Sequence, residues 1–303
     1  MSNIVIIGSI SMDLVMVTNR IAEEGETVFG ESFFMVPGGK GANQAVAVGR
    51  LSSPKDHISV LGAVGEDSFG PILLENLKAN HLHVNHVGTV PSSSGIAQIT
   101  LFNQDNRIIY CPGANGLVTT SNWSEEWQVI AEADLVILQN EIPHQENMAI
   151  VRYCHQKGIK VLYNPAPARE TDSEMIPFVD FVTPNQHECQ ALFPNQELAE
   201  TLRNYPNKLI VTLGKKGVTY FDGQEVQVIP AIKTEAKDTT GAGDTFNGAF
   251  GLALTKQLSI TEALKFAILA SHLSVQKFGA QGGMPTIDEM KGHPEYVKRW
   301  DFE

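Results

Sequence analysis

Short apolar runs recur along the chain at Ile4 to Ile7, Ile58 to Leu61, Leu135 to Leu138, Lys160 to Tyr163, Phe178 to Thr183 and Leu209 to Leu213. Continuous runs of this kind predict strands buried on both faces, and the stretches between them supply the covering helices. Ala42 to Leu51, Pro71 to Ala79 and Asn147 to Lys157 have helical patterns, and Gly243 to Phe278 predicts two helices parted at Gln257 and Leu258. The alternation predicts an α/β fold: a doubly wound, mostly parallel sheet flanked by helices.

Two segments break the pattern. Leu14 to Val36 and Ser94 to Tyr110 alternate apolar and polar positions and are punctuated by turns, so they read as strands. We expect one domain over residues 1–303, with segments near 14–36 and 94–110 pairing as a small projecting sheet. Beside a ligand cleft such a sheet is a natural lid that excludes water. An ordinary edge hairpin is the other reading.

Charge narrows the partners. The net charge of −12, from 34 acidic against 22 basic residues, opposes a phosphodiester backbone, so no nucleic acid is expected. Cys111, Cys154 and Cys189 lack CxxC spacing, which predicts reduced thiols buried as small hydrophobes in a cytoplasmic protein. The opening MSNIVIIGSIS is too short to span a membrane and lacks the marks of a signal peptide.

The strongest chemical signal runs from Asp238 through Thr240, Gly241, Ala242 and Gly243 to Asp244, directly before a helical pattern from Thr245 to Leu254. A glycine-rich helix start lets backbone approach a ligand, and the unpaired amides of Gly241, Ala242 and Gly243 form an anion hole for a phosphoryl group. Asp244 falls in the first turn, where the helix dipole favours its ionised form, and it is the candidate general base. A plain capping acid after a flexible loop is the bland reading of the same residues. Neither GxxxxGK[ST] nor a properly placed GxGxxG occurs. A second glycine turn, Gly38 to Ala45, carries Lys40 and Asn43, which can hydrogen-bond sugar hydroxyls.

Taken in order, GSISMD, PGGKGANQA, the GAN at Gly113 to Asn115, NPAPA at Asn164 to Ala168, TPNQHE, TLGKKG, DTTGAGDTFNG and KFGAQGGMP resemble the PfkB carbohydrate kinases, and the ribokinase group within them, over nearly the whole chain. The resemblance implies ATP-dependent phosphorylation of D-ribose, with ATP, Mg²⁺ and an activating K⁺. It implies sugar binding by Asp13, Gly39, Lys40, Gly41, Ala42, Asn43 and Glu141, with Ser11 beside them, and catalysis at Asp244. Asn185 and Glu188 match the motif associated with phosphate and, through water, Mg²⁺. Thr212, Leu213, Gly214, Lys215, Lys216 and Gly217 match the nucleotide-facing turn, which Gly243 and Asp244 complete. K⁺ would be held by Asp238, Thr240, Ser274, Lys277, Gly279 and Gly283, mostly through backbone oxygens. A homodimer pairing its lid sheets is also implied.

The chain departs from the pattern in two places. Ser11 stands where ribokinases often have Asn near the sugar 2-hydroxyl and deoxyribokinases have Met, which keeps deoxyribose, another furanose or a nucleoside open as acceptors. Ile268 stands near the adenine where relatives often carry a polar side chain. A silent sugar or nucleotide sensor is the rival from another class, opposed by intact Asp238, Asp244 and Glu188. The remaining features read as structural: surface histidines at His81, His83 and His86, a solvated charge run at Glu23, Glu24 and Glu26, and a packed helix face at Trp123 and Trp127.

Overall fold

A computed structural model describes residues 1–102 and 105–302; residues 103 and 104, inside the Ser94 to Tyr110 segment, lie outside that description. The chain begins β1 (Asn3–Ile7), β2 (Ser11–Val17), β3 (Ser32–Gly38), α1 (Lys40–Leu51), β4 (His57–Gly65), α2 (Phe69–Ala79) and β5 (His83–Val90). It continues β6 (Gly95–Phe102), β7 (Asp105–Cys111), α3 (Glu125–Ala131), β8 (Leu135–Leu138), α4 (His144–Lys157), β9 (Lys160–Tyr163), β10 (Phe181–Val182), α5 (Gln186–Leu192) and α6 (Leu198–Asn204). The last part is β11 (Ile210–Thr212), β12 (Val218–Phe221), β13 (Val226–Ile229), α7 (Ala242–Thr255), α8 (Ile260–Ser274), α9 (Ala280–Gly283) and α10 (Ile287–Lys291).

Six strands pair in the order β10-β9-β8-β1-β4-β5, every pair parallel. The period of two divides each strand between two cores. Ile4 and Ile6 of β1 join Leu135 and Ile137 of β8 in one cluster with Val46, Phe250 and Leu264. Val5, Ile7, Val136 and Leu138 join the opposite cluster with Ile130, Val151 and Leu202. The predicted α/β fold with helices on both faces is the fold observed.

The two anomalous segments form a separate four-stranded sheet in the order β3-β2-β6-β7, with β2 and β6 parallel and the outer pairs antiparallel. Its register lays Val36, Asp13, Ala97 and Tyr110 in one cross-strand row, so their side chains share a face.

Several expectations need correction. Residues 170–178 wind as a 3₁₀ helix, which leaves only Phe181 and Val182 of the expected Phe178 to Thr183 strand. The Leu209 to Leu213 run supplies β11 of a three-stranded antiparallel sheet, tied to the main sheet by single bridges from Val182 to Leu209 and Asn185 to Thr212. The histidines expected at the surface are there, with His81 and His83 exposed and His86 half-buried, His83 and His86 on an edge strand, β5, and His81 in the turn before it. Trp123 precedes α3, although its ring does pack edge-on against Trp127 at 5.4 Å. Cys154 and Cys189 are buried as predicted, but Cys111 is exposed at the end of β7. The Glu run is exposed, yet Glu26 pairs with Arg20, which holds its carboxyl below the ordinary value.

Candidate active site

Strands β1 and β8 are neighbours in the sheet, but the chain winds from them in opposite directions, so a crevice opens beyond their carboxyl ends. Ser9, Ser11 and Asp13 follow β1, Gln139 and Glu141 follow β8, Asn164 follows β9, and Asn185 follows β10. The topology thus gathers polar residues that lie far apart in sequence.

Helix α1 begins at Gly39, whose φ of 89° suits glycine and whose added Cβ would stand 2.9 Å from Ser9 O and Ser11 N. A glycine N-cap offers no side-chain acceptor. Glu141 supplies one instead: its Oε2 accepts from Lys40 N at 3.0 Å and from Ser9 Oγ at 2.5 Å. The carboxylate therefore sits at the positive end of the α1 dipole.

Helix α7 begins at Gly241, with φ 74° and Ala280 within 2.8 Å of where a Cβ would go. The Ala242 amide turns back to Thr239 O at 3.2 Å, so it is not open as the sequence suggested. Among the described residues no acceptor meets the amides of Gly241, Gly243 or Asp244. Asp244, in the first turn, is buried and accepts from Asn43 Nδ2 at 3.0 Å and from Gln44 Nε2 at 3.1 Å.

Lys40 stands among four carboxylates. Asp244 contributes most to holding its ammonium above the ordinary range, with Glu141, Glu188 and Asp13 adding to it. Asp13 is pushed up to about 7, first by burial and then by the Glu141 and Asp244 charges. Beside Asp13, Asn115 Nδ2 reaches Ser11 Oγ and Tyr110 Oη, each at 3.1 Å, and pairs both ways with the backbone of Ile10. Burial and the charge of Glu141 raise the Tyr110 phenol. Ala97 stands between Asp13 and Tyr110 in the same row.

On the other side of α7 a cleft of about 500 Å³ is lined by Thr212, Gly214, Lys215 and Gly217 together with Ala231, Ile232, Ala242, Gly243, Phe246, Ile268 and His272. Leu213 and Lys216 are in the same turn without lining it. Ile268 is on its wall. Asn185 and Glu188 are not part of this wall; they cap α5 reciprocally, at 2.8 and 2.9 Å. Burial moves the Glu188 carboxyl upward.

The segments holding the K⁺ candidates also meet. Asp238 accepts from Thr240 N at 2.9 Å and Gly279 N at 2.8 Å, and Gly283 packs on Ser274 O, where a Cβ would come within 2.3 Å. Lys277 turns its ammonium to Glu289. Among the described residues no group of three or more His, Cys, Asp or Glu side chains could hold a metal.

A family model described as pfkB family carbohydrate kinase matches residues 1–287. The chain belongs to the pfkB family of carbohydrate kinases. The kinase is 60% identical over 291 residues to a ribokinase of Lactococcus lactis subsp. lactis, covering 96% of both chains. Its fold matches the crystal structure of a ribokinase from Thermotoga maritima with a TM-score of 0.87 at 33% identity, covering 96% of this chain and 98% of that one. It also matches an Arabidopsis thaliana ribokinase complexed with ribose and ATP with a TM-score of 0.87 at 28% identity, covering 100% and 99%.

The predicted Asp13, Lys40, Glu141 and Asp244 thus feel one another's charge, and Asn43 donates to Asp244. Sequence reasoning missed Ser9, Gln44, Tyr110, Gln139 and Gln281 as contributors. Gln44, Ser9 and Gln281 fell within recognised motifs, PGGKGANQA, GSISMD and KFGAQGGMP, without being singled out.

Proposed function

We propose that this kinase transfers the γ-phosphoryl group of ATP to D-ribose, giving ribose 5-phosphate. The observation that carries this reading is Asp244 in the first turn of α7, flanked by open amides, between an apolar cleft and the charged cluster of Asp13, Lys40 and Glu141. The ribose and ATP named for the Arabidopsis structure suit the two compartments, and the Lactococcus relative supports the same acceptor. Glu141 and ionised Asp13 accept hydrogen bonds from sugar hydroxyls and fix the acceptor. Asp244 takes the proton of the attacking hydroxyl, while the Gly243 and Asp244 amides and Lys40 face the charge on the transferring group.

The donor groups fit the two implied ions. Mg²⁺ would be held mainly by nucleotide phosphates, with Glu188 reaching it through water, and supplies neutralisation of phosphate charge. A backbone-oxygen site from Asp238, Thr240, Ser274, Lys277, Gly279 and Gly283 suits K⁺, a hard cation that would steady the α7 loop. The rest of the reading is one kinase domain with residues 14–36 and 94–110 as its lid, a homodimer through the lid sheets, and residence in the cytoplasm. Exposed Phe33, Phe34, Met35, Ile108 and Ile109 on the four-stranded sheet support the dimer. Free cysteines, with no helix long and apolar enough to cross a membrane among the described residues, agree with the location.

Deoxyribose is kept as a second acceptor because Ser11 is 1% exposed and its hydroxyl is already engaged by Asn115. Product formation from ATP with ribose or 2-deoxyribose, with Mg²⁺ and with or without K⁺, tests the reading. Ribose turnover that falls on the order of 10²- to 10⁴-fold in Asp244→Asn, with sugar binding retained, is the expected result. Preference for deoxyribose would move the assignment, and no turnover of either sugar would overturn it.

A further inference from the structure

Both oxygens of the Asp244 carboxylate end a chain of side-chain amides. Asn76 Nδ2 donates to Gln281 Oε1 at 2.8 Å, Gln281 Nε2 to Asn43 Oδ1 at 3.0 Å, and Asn43 Nδ2 to Asp244 Oδ2 at 3.0 Å. On the other oxygen, Gln139 Nε2 donates to Gln44 Oε1 at 2.7 Å and Gln44 Nε2 to Asp244 Oδ1 at 3.1 Å. An ionised carboxylate only accepts, so it dictates the direction of every amide behind it. Asn43, Gln44, Gln139 and Gln281 are all buried, where such a chain is strengthened along its length and a reversed member leaves groups unsatisfied. Arg50 anchors the outer end: it donates to the backbone oxygens of Gln281 at 2.5 Å and Met284 at 3.0 Å and to Asn80 Oδ1 at 2.7 Å.

We propose that Gln281 is a positioning residue that orients the general base through Asn43. The sequence reading gave Asn43 to the sugar, but its carboxamide oxygen faces Gln281 and its nitrogen faces Asp244. Gln281 reaches Asp244 only through Asn43. It sets which end of the Asn43 amide meets the base, and so the plane in which the carboxylate waits for the sugar hydroxyl. A reversed Asn43 would turn its oxygen to the Asp244 oxygen, and a small misalignment at the reacting atoms is costly in rate.

The inference rests on the reading of Asp244 as base, and the test separates the two. In the full-length kinase, kcat, the KM values for ribose and ATP, and Tm are measured for Gln281→Met and Gln281→Glu. Methionine keeps the volume and removes the donor; glutamate keeps the shape but only accepts, which forces Asn43 to reverse. We expect kcat to fall roughly tenfold for methionine and further for glutamate, with KM for ATP within about twofold of wild type. In an Asn43→Ala background the Gln281→Met change should have no further effect on kcat. A packing role predicts instead that glutamate is tolerated at least as well as methionine, or that kcat follows Tm, and either result overturns the proposal. Should Gln281 variants fail to fold, Asn76→Asp reads the same chain one amide further out, and unchanged kcat there overturns it as well. If Asp244→Asn still turns over ribose, the base assignment has failed; if it is inactive while the Gln281 variants match wild type, only the relay has.

Discussion

Helices α1 and α7 frame the active site and begin alike, each at a glycine of positive φ that provides no side-chain cap. They end up doing opposite things. At α1 the exposed amide is taken by the protein's own anion, Glu141, from 101 residues away. At α7 the amides of Gly243 and Asp244 meet no acceptor among the described residues, which suits an anion brought by substrate. The same local pattern is thus sealed in one case and open in the other, and a partner remote in sequence decides which.

One substitution made at both helix starts exposes the difference most sharply. At Gly41 a new Cβ would lie 2.6 Å from Gly8 C and 2.7 Å from Ser9 N, backbone atoms that cannot step aside. Gly41→Ala should therefore cost about 3 kcal/mol of stability, seen as a lowered denaturation midpoint. At Gly243 a Cβ meets nothing within 4 Å, and Gly243 lines the cleft of about 500 Å³. Gly243→Ala should leave Tm unchanged or slightly raised while KM for ATP increases on the order of tenfold. Equal effects of the two changes on Tm would break the comparison.

The plug at α1 can be tested more gently. Glu141→Gln keeps an acceptor oxygen near the Lys40 amide and removes the charge. We expect KM for ribose to rise up to about tenfold and stability to drop by roughly 1 kcal/mol, with KM for ATP unaffected. An equal rise in both KM values would show that Glu141 serves the whole site.

The smallest effect concerns pH. Asp13, pushed up to about 7, holds a proton in the folded protein over a range where the unfolded chain has lost it. Folding is therefore unpenalised by this group below about pH 4, loses stability as pH rises toward 7, and is level above that. Ionisation of the same carboxyl creates the acceptor for the sugar, so ribose should bind more tightly as pH rises through 7. Calorimetric titration between pH 6 and 8 should show this trend in wild type and a flat response in Asp13→Asn. A wild-type response as flat as the variant's would remove Asp13 from sugar recognition.

What could be read from sequence follows the same division between local and remote. The central strands were legible because burial on both faces makes them uniformly apolar. Strand β5 was not, since His83, Asn85 and Thr89 give an edge strand the look of a polar loop. The hairpin of β12 and β13 also went unread, and with it the separate sheet that takes β11 away from the parallel one. Asp13, Lys40 and Asp244 were visible through glycine turns and the motifs around them. The amide relay was invisible, because Gln281 meets Asn43 across 238 residues and no spacing marks either as its partner. Cys111 misled because cysteine is usually buried, whereas this one ends an exposed strand.

The four-stranded sheet carries Ser11, Asp13 and Tyr110 on its own strands, while Asp244 and the nucleotide cleft belong to α7 and the elements around it. Only Gly8, Ser9 and Ile10 separate β1 from β2. On the reading proposed above, part of the sugar's surroundings belongs to the small sheet, while Glu141 and the base belong to the main unit. If that reading holds, substitutions on the small sheet should change the choice of alcohol more than the rate of phosphoryl transfer.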